Sequence, residues 1–436
     1  MIDSASLVKN SSGNSRIRLD SIDALRGMAA LMVAGYHIWG HYGVYPFPSL
    51  GVVPWTKSAG LLAYMVSPLR WGYLGVGLFL VLSGFCIHLP FARKKDDVGS
   101  YRFEWRKFYL RRLWRLYPAY AASVIGTFIL ILLAARWSSF IGATPTAGDL
   151  ISHLTLTHGY FDRYFYGIVD VYWSLALEFQ LYLAYPIFLY LFRRAGLSRS
   201  IVFLTIFSLL WRIVSMQVFH SQLISVSWTG PYAMMGCIFA RMPEWLFGAW
   251  LAEWFVKSHA EMPALREKNW RRLPLAAAGV AVLFAAILST LWQTLWVFTD
   301  SLFGLGFAFI IAAAIVPQRK PIPAKISVAK QNRFYRWLIW MGTISYSVYL
   351  FHMQLSWFAN PWIRELSSPG LQFALRTGVL LLSIPIIAFI FRFVEAPFLS
   401  APRPGKILFT IYKNLERALG IKSDGPLVVQ LESAVS

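Results

Sequence analysis

Residues 22–42, reading I-D-A-L-R-G-M-A-A-L-M-V-A-G-Y-H-I-W-G-H-Y, form an apolar run long enough to cross a bilayer, yet they carry Asp23, Arg26, His37 and His41. Within lipid a single span must be helical, because only a helix satisfies its own backbone polar groups without neighbouring strands. Ionisable groups kept in such a span are costly, which marks them as candidates for function. The eleven residues from Arg26 to His37 make about three helical turns and roughly 16 Å of rise, so both side chains lie on nearly the same face. One lane therefore joins a cation to a candidate proton acceptor.

The rest of the 436-residue chain repeats that apolar character, with 57% hydrophobic residues, 14% charged residues and a mean hydropathy of +0.53. Such a composition excludes an ordinary soluble domain and predicts a polytopic membrane protein. Ten spans are expected, at 22–42, 71–89, 116–135, 169–192, 201–219, 244–256, 273–291, 302–316, 337–357 and 373–393. Lysine and arginine number 41 against 20 acids, a net charge of +21. They cluster in alternate connections, around 93–115, 193–199, 257–272, 319–336 and 403–422, whereas Lys57, Arg70, Arg136, Arg163 and Arg364 sit sparsely in the others. That alternation places both termini in the cytoplasm and argues against nucleic-acid binding. Cys86 and Cys237 both fall in apolar segments, so neither a disulfide framework nor a cysteine metal site is expected. No cleavable signal peptide is expected either.

Two local readings refine this plan. Residues 101–117 mix aromatics with arginine and lysine, which predicts a basic amphipathic helix lying at the inner interface ahead of the third span. Residues 228–242 contain Gly230, Pro231 and Gly236 with Pro243 following, which predicts a broken or re-entrant form for the sixth span. The expected divisions are a cytoplasmic segment at 1–20, a membrane domain at 21–397 and a cytoplasmic tail at 398–436.

Topology converts position into depth. His37, Glu178 and His352 are expected at a similar level on three different helices, with Ser345, Tyr349 and His352 sharing a face of the ninth span. A histidine beside a carboxylate is a general base whose tautomer is fixed and whose imidazolium is stabilised, so Glu178 is expected to orient His37. At the opposite depth Arg111, Arg112 and Arg115, with Arg26, suit phosphate groups, while lipid headgroups and an Asp23 pairing are their plainer roles. Tyr172 and Trp173 suit stacking on a sugar ring as well as an interfacial aromatic belt.

Seven pieces of this chain together resemble the acyltransferase family 3 integral membrane proteins, which O-acylate carbohydrates. They are I-D-A-L-R-G-M-A-A-L-M-V-A-G-Y-H, G-V-G-L-F-L-V-L-S-G-F, R-R-L-W-R-L-Y-P, V-Y-W-S-L-A-L-E-F-Q-L-Y-L-A-Y-P, R-M-P-E-W-L-F-G, I-S-Y-S-V-Y-L-F-H and V-E-A-P, in the family's order from residue 22 to 397. The resemblance implies that His37 is the essential catalytic residue, spaced from Arg26 as the family requires. It likewise implies roles for Ser83, Arg112, Arg115, Trp173, Ser174, Glu178, Arg241 and Glu244. Leu78, Phe179 and Ala396 depart from the family's usual residues without touching the acid or base.

The resulting expectation is an all-α bundle of about ten transmembrane helices in a bacterial inner membrane. It would move an acyl group from a cytoplasmic acyl-CoA, acetyl-CoA foremost, to a hydroxyl of a carbohydrate or glycolipid. No cofactor is expected to be permanently bound and no metal is expected. His37, Glu178 and Arg26 are the catalytic candidates, and Arg26, Arg111, Arg112 and Arg115 would hold the acyl-CoA. Ser83, Tyr172, Trp173, Ser174, Arg241, Glu244, Tyr349 and His352 would face the acceptor or the developing oxyanion. The lack of an appended extracytoplasmic domain favours a stand-alone transferase, and the oligomeric state stays open. The alternative is a transporter or flippase of a sugar-lipid, which also buries ionisable residues beside broken helices but turns over no thioester.

Overall fold

The computed structural model describes residues 20–40, 67–94, 104–134, 144–218, 232–260, 272–289, 295–315, 332–366 and 368–399. No strand occurs among them. The helices are α1 (Asp20–Gly40), α2 (Gly75–Lys94), α3 (Trp105–Ala134), α4 (Ala147–Leu154), α5 (Asp162–Phe165), α6 (Trp173–Ala195) and α7 (Leu197–Val218). They continue as α8 (Tyr232–Gly236), α9 (Ile238–Ala260), α10 (Arg272–Ser289), α11 (Trp296–Ile315), α12 (Arg333–Thr343), α13 (Ser345–Arg364) and α14 (Pro369–Val394). Seven spans, corresponding to α2, α3, α6, α7, α10, α11 and α14, are long and apolar enough to cross a membrane. The three other helices of comparable length are α1, α9 and α13. Those three carry Arg26 and His37, Arg241 and Glu244, and His352, so the polar side chains that dilute their hydropathy are the candidate site itself.

Polar helices of this kind need company. Helix α1 packs against α2, α11, α12, α13, α14 and the 3-10 segment Ser67–Leu74. Large apolar side chains on α7, α10 and α14, such as Phe203, Val214, Phe284, Leu382 and Phe389, stay exposed, as a lipid-facing surface requires. Glycines set the closest crossings. A Cβ on Gly84 would collide with the Trp245 carbonyl and one on Gly248 with the Val81 carbonyl, so α2 and α9 meet backbone to backbone. Gly27 and Gly342 do the same for α1 and α12, against the Leu338 and Asp23 carbonyls.

Three expectations change at this level. Helix α3 runs unbroken through Pro118, so the basic stretch from Trp105 continues the third span and is not a separate interfacial helix. Side chains hold both sides of that proline, where the Tyr117 hydroxyl donates to the Leu154 carbonyl and the Tyr120 hydroxyl to the His153 carbonyl, each at 2.9 Å. The sixth span begins earlier than expected, because α9 starts at Ile238 after the short α8 and contains Pro243. Its first amide is held by Gln180 Oε1 at 3.1 Å, which supplies an acceptor for a helix start that has none of its own. Residues 228–231 of the proposed break lie outside the described residues. The ninth span is two helices meeting at Ile344, where the Thr343 and Ser345 hydroxyls donate to the Trp340 and Gly342 carbonyls at 2.6 and 2.9 Å and compete with the helical ladder. The first nineteen residues and the tail beyond 399 lie outside the described residues, as does His41.

Candidate active site

The continuous helix α1 carries the candidate site at both ends. At the histidine end, His37 Nδ1 lies 2.8 Å from the Val33 carbonyl and 3.3 Å from His352 Nε2. His352 Nδ1 in turn lies 2.9 Å from the Val348 carbonyl and 3.0 Å from that of Tyr349. A carbonyl only accepts, so both neutral rings carry their proton on Nδ1, and the His37 lone pair resides on Nε2. His352 Nε2 then accepts from His37 Nδ1. His352 is fully buried and His37 half-buried, so the second ring backs the first.

Tyr349 stands beside this pair. Its ring meets His352 and Phe79 edge-on, and its hydroxyl donates to the Val171 carbonyl at 2.9 Å and makes a short hydrogen bond with the Ser174 hydroxyl. Tyr172 departs from the expectation of a sugar-stacking ring. It is completely buried, and its hydroxyl sits 2.5 Å from Ser123 Oγ and 3.0 Å from Gln354 Nε2, so it has no face open to a ligand. The sequence places it at the helix start, but the turn before α6 points it inward onto α3 and α13.

A charged chain closes the same side of the bundle. Arg241 donates through Nε and Nη2 to the two Glu244 oxygens at 2.6 and 2.9 Å, and its Nη1 lies 3.3 Å from Asp300 Oδ1. Arg212 donates to Asp300 Oδ2 at 2.5 Å and to the Trp296 carbonyl at 2.7 Å. Two cations and two carboxylates thus neutralise one another across α7, α9 and α11, with the Arg241 guanidinium 5.6 Å above the Trp173 ring. Asp300 and Arg212 were not singled out by the sequence reading, although an acid and an arginine inside two otherwise apolar helices are the signal that finds them.

At the arginine end the charges are of another kind. Arg26 lies within electrostatic reach of Asp23, Cys86, Glu178 and Tyr182. The charges of Arg26, Arg112 and Glu395 all act on Arg115. Arg112 sits 5.6 Å over the Phe108 ring and 5.9 Å over that of Tyr182, and its Nε is buried without a hydrogen-bond partner. Arg111, grouped with these in the sequence, is exposed and makes no ion pair or ring contact among the described residues. Three arginines thus meet three carboxylates, Asp23, Glu178 and Glu395, with Arg115 exposed at the edge of the group.

Glu178 belongs to this group and not beside the histidines. Its carboxylate accepts from Ser83 Oγ at 2.9 Å and, in a short bond, from the Tyr182 hydroxyl one turn along α6. Counting residues set it level with the histidines, whereas packing against Ser83 of α2 holds it at the Arg26 end. Glu395 lies in the V-E-A-P piece, just past the end of α14. It accepts from Ser347 Oγ at 2.5 Å, and burial pushes its carboxyl up to about 7 against the opposing pull of Ser347 and Arg115. No group of three or more His, Cys, Asp or Glu side chains converges as a metal ion would need among the described residues.

Comparison with known proteins matches residues 19–393 to the acyltransferase 3 family, described as an acyltransferase domain. A peptidoglycan O-acetyltransferase, OatA of Listeria monocytogenes, is 24% identical over 411 residues, which is 89% of this chain and 57% of that protein. An O-acetyltransferase OatA of Staphylococcus aureus is 24% identical across 84% of this chain and 58% of its own length. A putative acetyltransferase, ORF330 of Acidianus two-tailed virus, is 24% identical across 76% and 82%. The chain therefore spans a little under three fifths of the length of the two OatA relatives. No solved structure matches.

Proposed function

The chain belongs to the acyltransferase 3 family, and from that premise we propose that it transfers an acetyl group from cytoplasmic acetyl-CoA to a hydroxyl of a cell-envelope glycan, with His37 as general base. The observation that carries the reading is the His37–His352 pair at one end of α1, with three arginines around the other end of the same helix. In this reading both termini lie in the cytoplasm and the arginine end faces it. The name of the Listeria monocytogenes relative, a peptidoglycan O-acetyltransferase, supports a carbohydrate acceptor.

Arg26, Arg112 and Arg115 would hold the phosphates of the donor, as guanidinium groups do through paired N–H bonds. The pantetheine arm would then follow the lane from Arg26, so that the thioester carbonyl arrives beside His37 after the roughly 16 Å of helix rise. His37 Nε2 takes the proton of the acceptor hydroxyl as its oxygen bonds to the carbonyl carbon. The tetrahedral oxyanion collapses, the carbon–sulfur bond breaks, and the imidazolium returns its proton to the leaving thiolate. Through that cycle His37 keeps its Nδ1 proton on Val33 and His352, so His352 takes the orienting role that the sequence reading gave to Glu178. Glu178 would instead hold Ser83 and screen Arg26.

Purified protein with radiolabelled acetyl-CoA and a panel of glycan acceptors tests the proposal. Label should pass to an acceptor with wild-type protein and not with His37→Ala. Transfer retained by that variant would remove the mechanism, and movement of a sugar-lipid without thioester turnover would favour the transporter alternative.

A further inference from the structure

Helix α14 carries Arg376 two turns into a largely apolar stretch that is long enough to span the membrane, and the side chain is 2% exposed. A guanidinium buried in a spanning helix is costly, which marks it as a candidate for function. Its Nη1 donates to the Ile38 carbonyl at 3.3 Å, and Ile38 follows His37 in the last turn of α1. Carbonyls of a last helical turn find no amide of their own helix to accept from and carry the negative end of its dipole, so a cation is favoured there.

Two neighbours on the same face of α14 hold the same turn, since Phe373, Arg376 and Thr377 are spaced i, i+3 and i+4. The Trp39 indole N–H donates to Thr377 Oγ1 at 3.2 Å, and the Trp39 ring stacks on Phe373 with centroids 5.6 Å apart and planes at 21°. The indole lies back over Gly35, where a Cβ would strike it at 2.6 Å, so it is held between its own helix and α14. Beside these contacts Ile38, Val348 and Leu380 share one buried apolar cluster. Val348 lies one turn before His352 on α13, and Leu380 one turn beyond Arg376 on α14. The clamp on α1 therefore stands at the level of the His37–His352 contact.

We propose that Arg376 is a positioning residue for His37. With Trp39, Phe373 and Thr377 it locks the last turn of α1 to α14 and so keeps the His37 ring against His352. Helix ends fray unless something holds them. A general base must stay within hydrogen-bond reach of the proton it takes, and a displacement of about 1 Å costs about a hundredfold in rate. The effect on rate rests on His37 as the general base, whereas the clamp itself does not.

Two readouts on full-length protein in detergent test this, and the first needs no transfer. Peptide-resolved hydrogen exchange of Arg376→Gln should quicken by about tenfold at residues 37–40 and stay within about twofold of wild type at residues 24–30. In transfer assays the same variant should lower kcat by about tenfold with the KM for acetyl-CoA within about twofold, and Arg376→Lys, which keeps a cation and an N–H donor, should restore most of that loss. Trp39→Phe keeps the ring stack and drops the N–H, so it should lower kcat by about two- to threefold, and it carries the same test if Arg376→Gln does not fold. Ser383→Ala, whose hydroxyl donates to the Leu380 carbonyl of its own helix at 2.7 Å, should move neither readout. Unchanged exchange at residues 37–40, wild-type kcat in Arg376→Gln, or a KM that rises in step with the fall in kcat would overturn the assignment. Quickened exchange in Arg376→Gln with no transfer by wild-type protein would remove the general-base reading and leave the clamp standing.

Discussion

Around His37 both Nδ1 atoms of the histidine pair face carbonyls and His352 Nε2 faces His37 Nδ1, and the charged groups nearby, Arg241, Glu244, Asp300 and Arg212, form a neutral chain. Around Arg26, three helical turns away, three arginines meet the carboxylates Asp23, Glu178 and Glu395, yet Arg115 is exposed and Arg112 Nε is buried without a hydrogen-bond partner. The first arrangement holds a lone pair in place and the second leaves a guanidinium N–H without an acceptor. Chemistry wants fixed geometry and low charge, since a general base must be neutral to accept a proton. Binding a polyphosphate wants guanidinium N–H groups that are not all spent on the protein's own acceptors. One helix carries both because its face keeps the two sites in line while holding them apart.

That contrast can be broken from either end. Removing the base has the largest expected effect, with His37→Gln lowering the rate of transfer by about 10³-fold or more while the affinity for acetyl-CoA stays within about twofold. Next comes the buttress. His352→Phe should lower kcat by roughly ten- to a hundredfold at nearly constant KM, in the range seen when an outer partner of a functional histidine is lost. Restoration of most of that loss by His352→Asn would locate the effect in the hydrogen bond, and a change in KM alone would remove the positioning role. At the other end, Arg26→Gln or Arg115→Gln should raise the KM for acetyl-CoA by about tenfold with little change in kcat, an effect that grows with ionic strength held low. A fall in kcat alone would place those arginines in the chemistry.

The smallest effect concerns stability. His153 and His158 stack face to face at 3.9 Å, fully buried, with His153 Nε2 and both ring nitrogens of His158 unpartnered. Parallel rings in such a stack cannot both aim a lone pair at one metal ion. Burial lowers the His153 ring to about 4, and burial together with the His153 charge lowers His158 to about 3. The unfolded chain therefore binds protons that the folded one refuses, so stability is complete above about 6.5 and is lost as pH falls towards 4. Glu395, raised to about 7 by burial, works the other way, since its cost to folding grows from about 4.5 upward as the unfolded carboxylate ionises first. Thermal unfolding followed from pH 7 to 5 in the Glu395→Gln background isolates the histidines. The midpoint should fall with pH there, and His153→Phe/His158→Phe should flatten the slope. An unchanged slope in the double variant would show that other groups carry it.

Much of the bundle is legible in the sequence because depth in a membrane follows from residue counting. The apolar runs become helices among the described residues, seven of them long and apolar enough to cross a membrane and the ninth run split at Ile344, and the lane from Arg26 to His37 follows from helical period alone. What counting cannot supply is the direction a side chain faces around its helix. Glu178 sits at the Arg26 end with Ser83 and Tyr182, off the histidine level that counting assigned to it, and Tyr172 turns inward where an outward ring was expected. Those directions depend on glycine crossings such as Gly84 against Trp245, which no periodicity encodes. Asp300 escaped for a plainer reason, since the expected eighth span began two residues after it. The break at Ile344 is written locally, in two hydroxyl residues flanking one position, but their choice of carbonyl is visible only in the folded chain.

The division of labour between the two ends of α1 is tested most directly by equilibrium binding of acetyl-CoA to three purified proteins, wild type, His37→Gln and Arg26→Gln/Arg115→Gln, measured in the buffer used for transfer. The account predicts wild-type affinity for the histidine variant, which transfers nothing, and affinity weakened by at least about tenfold for the arginine variant. Loss of binding in the histidine variant with unchanged affinity in the arginine variant would contradict it.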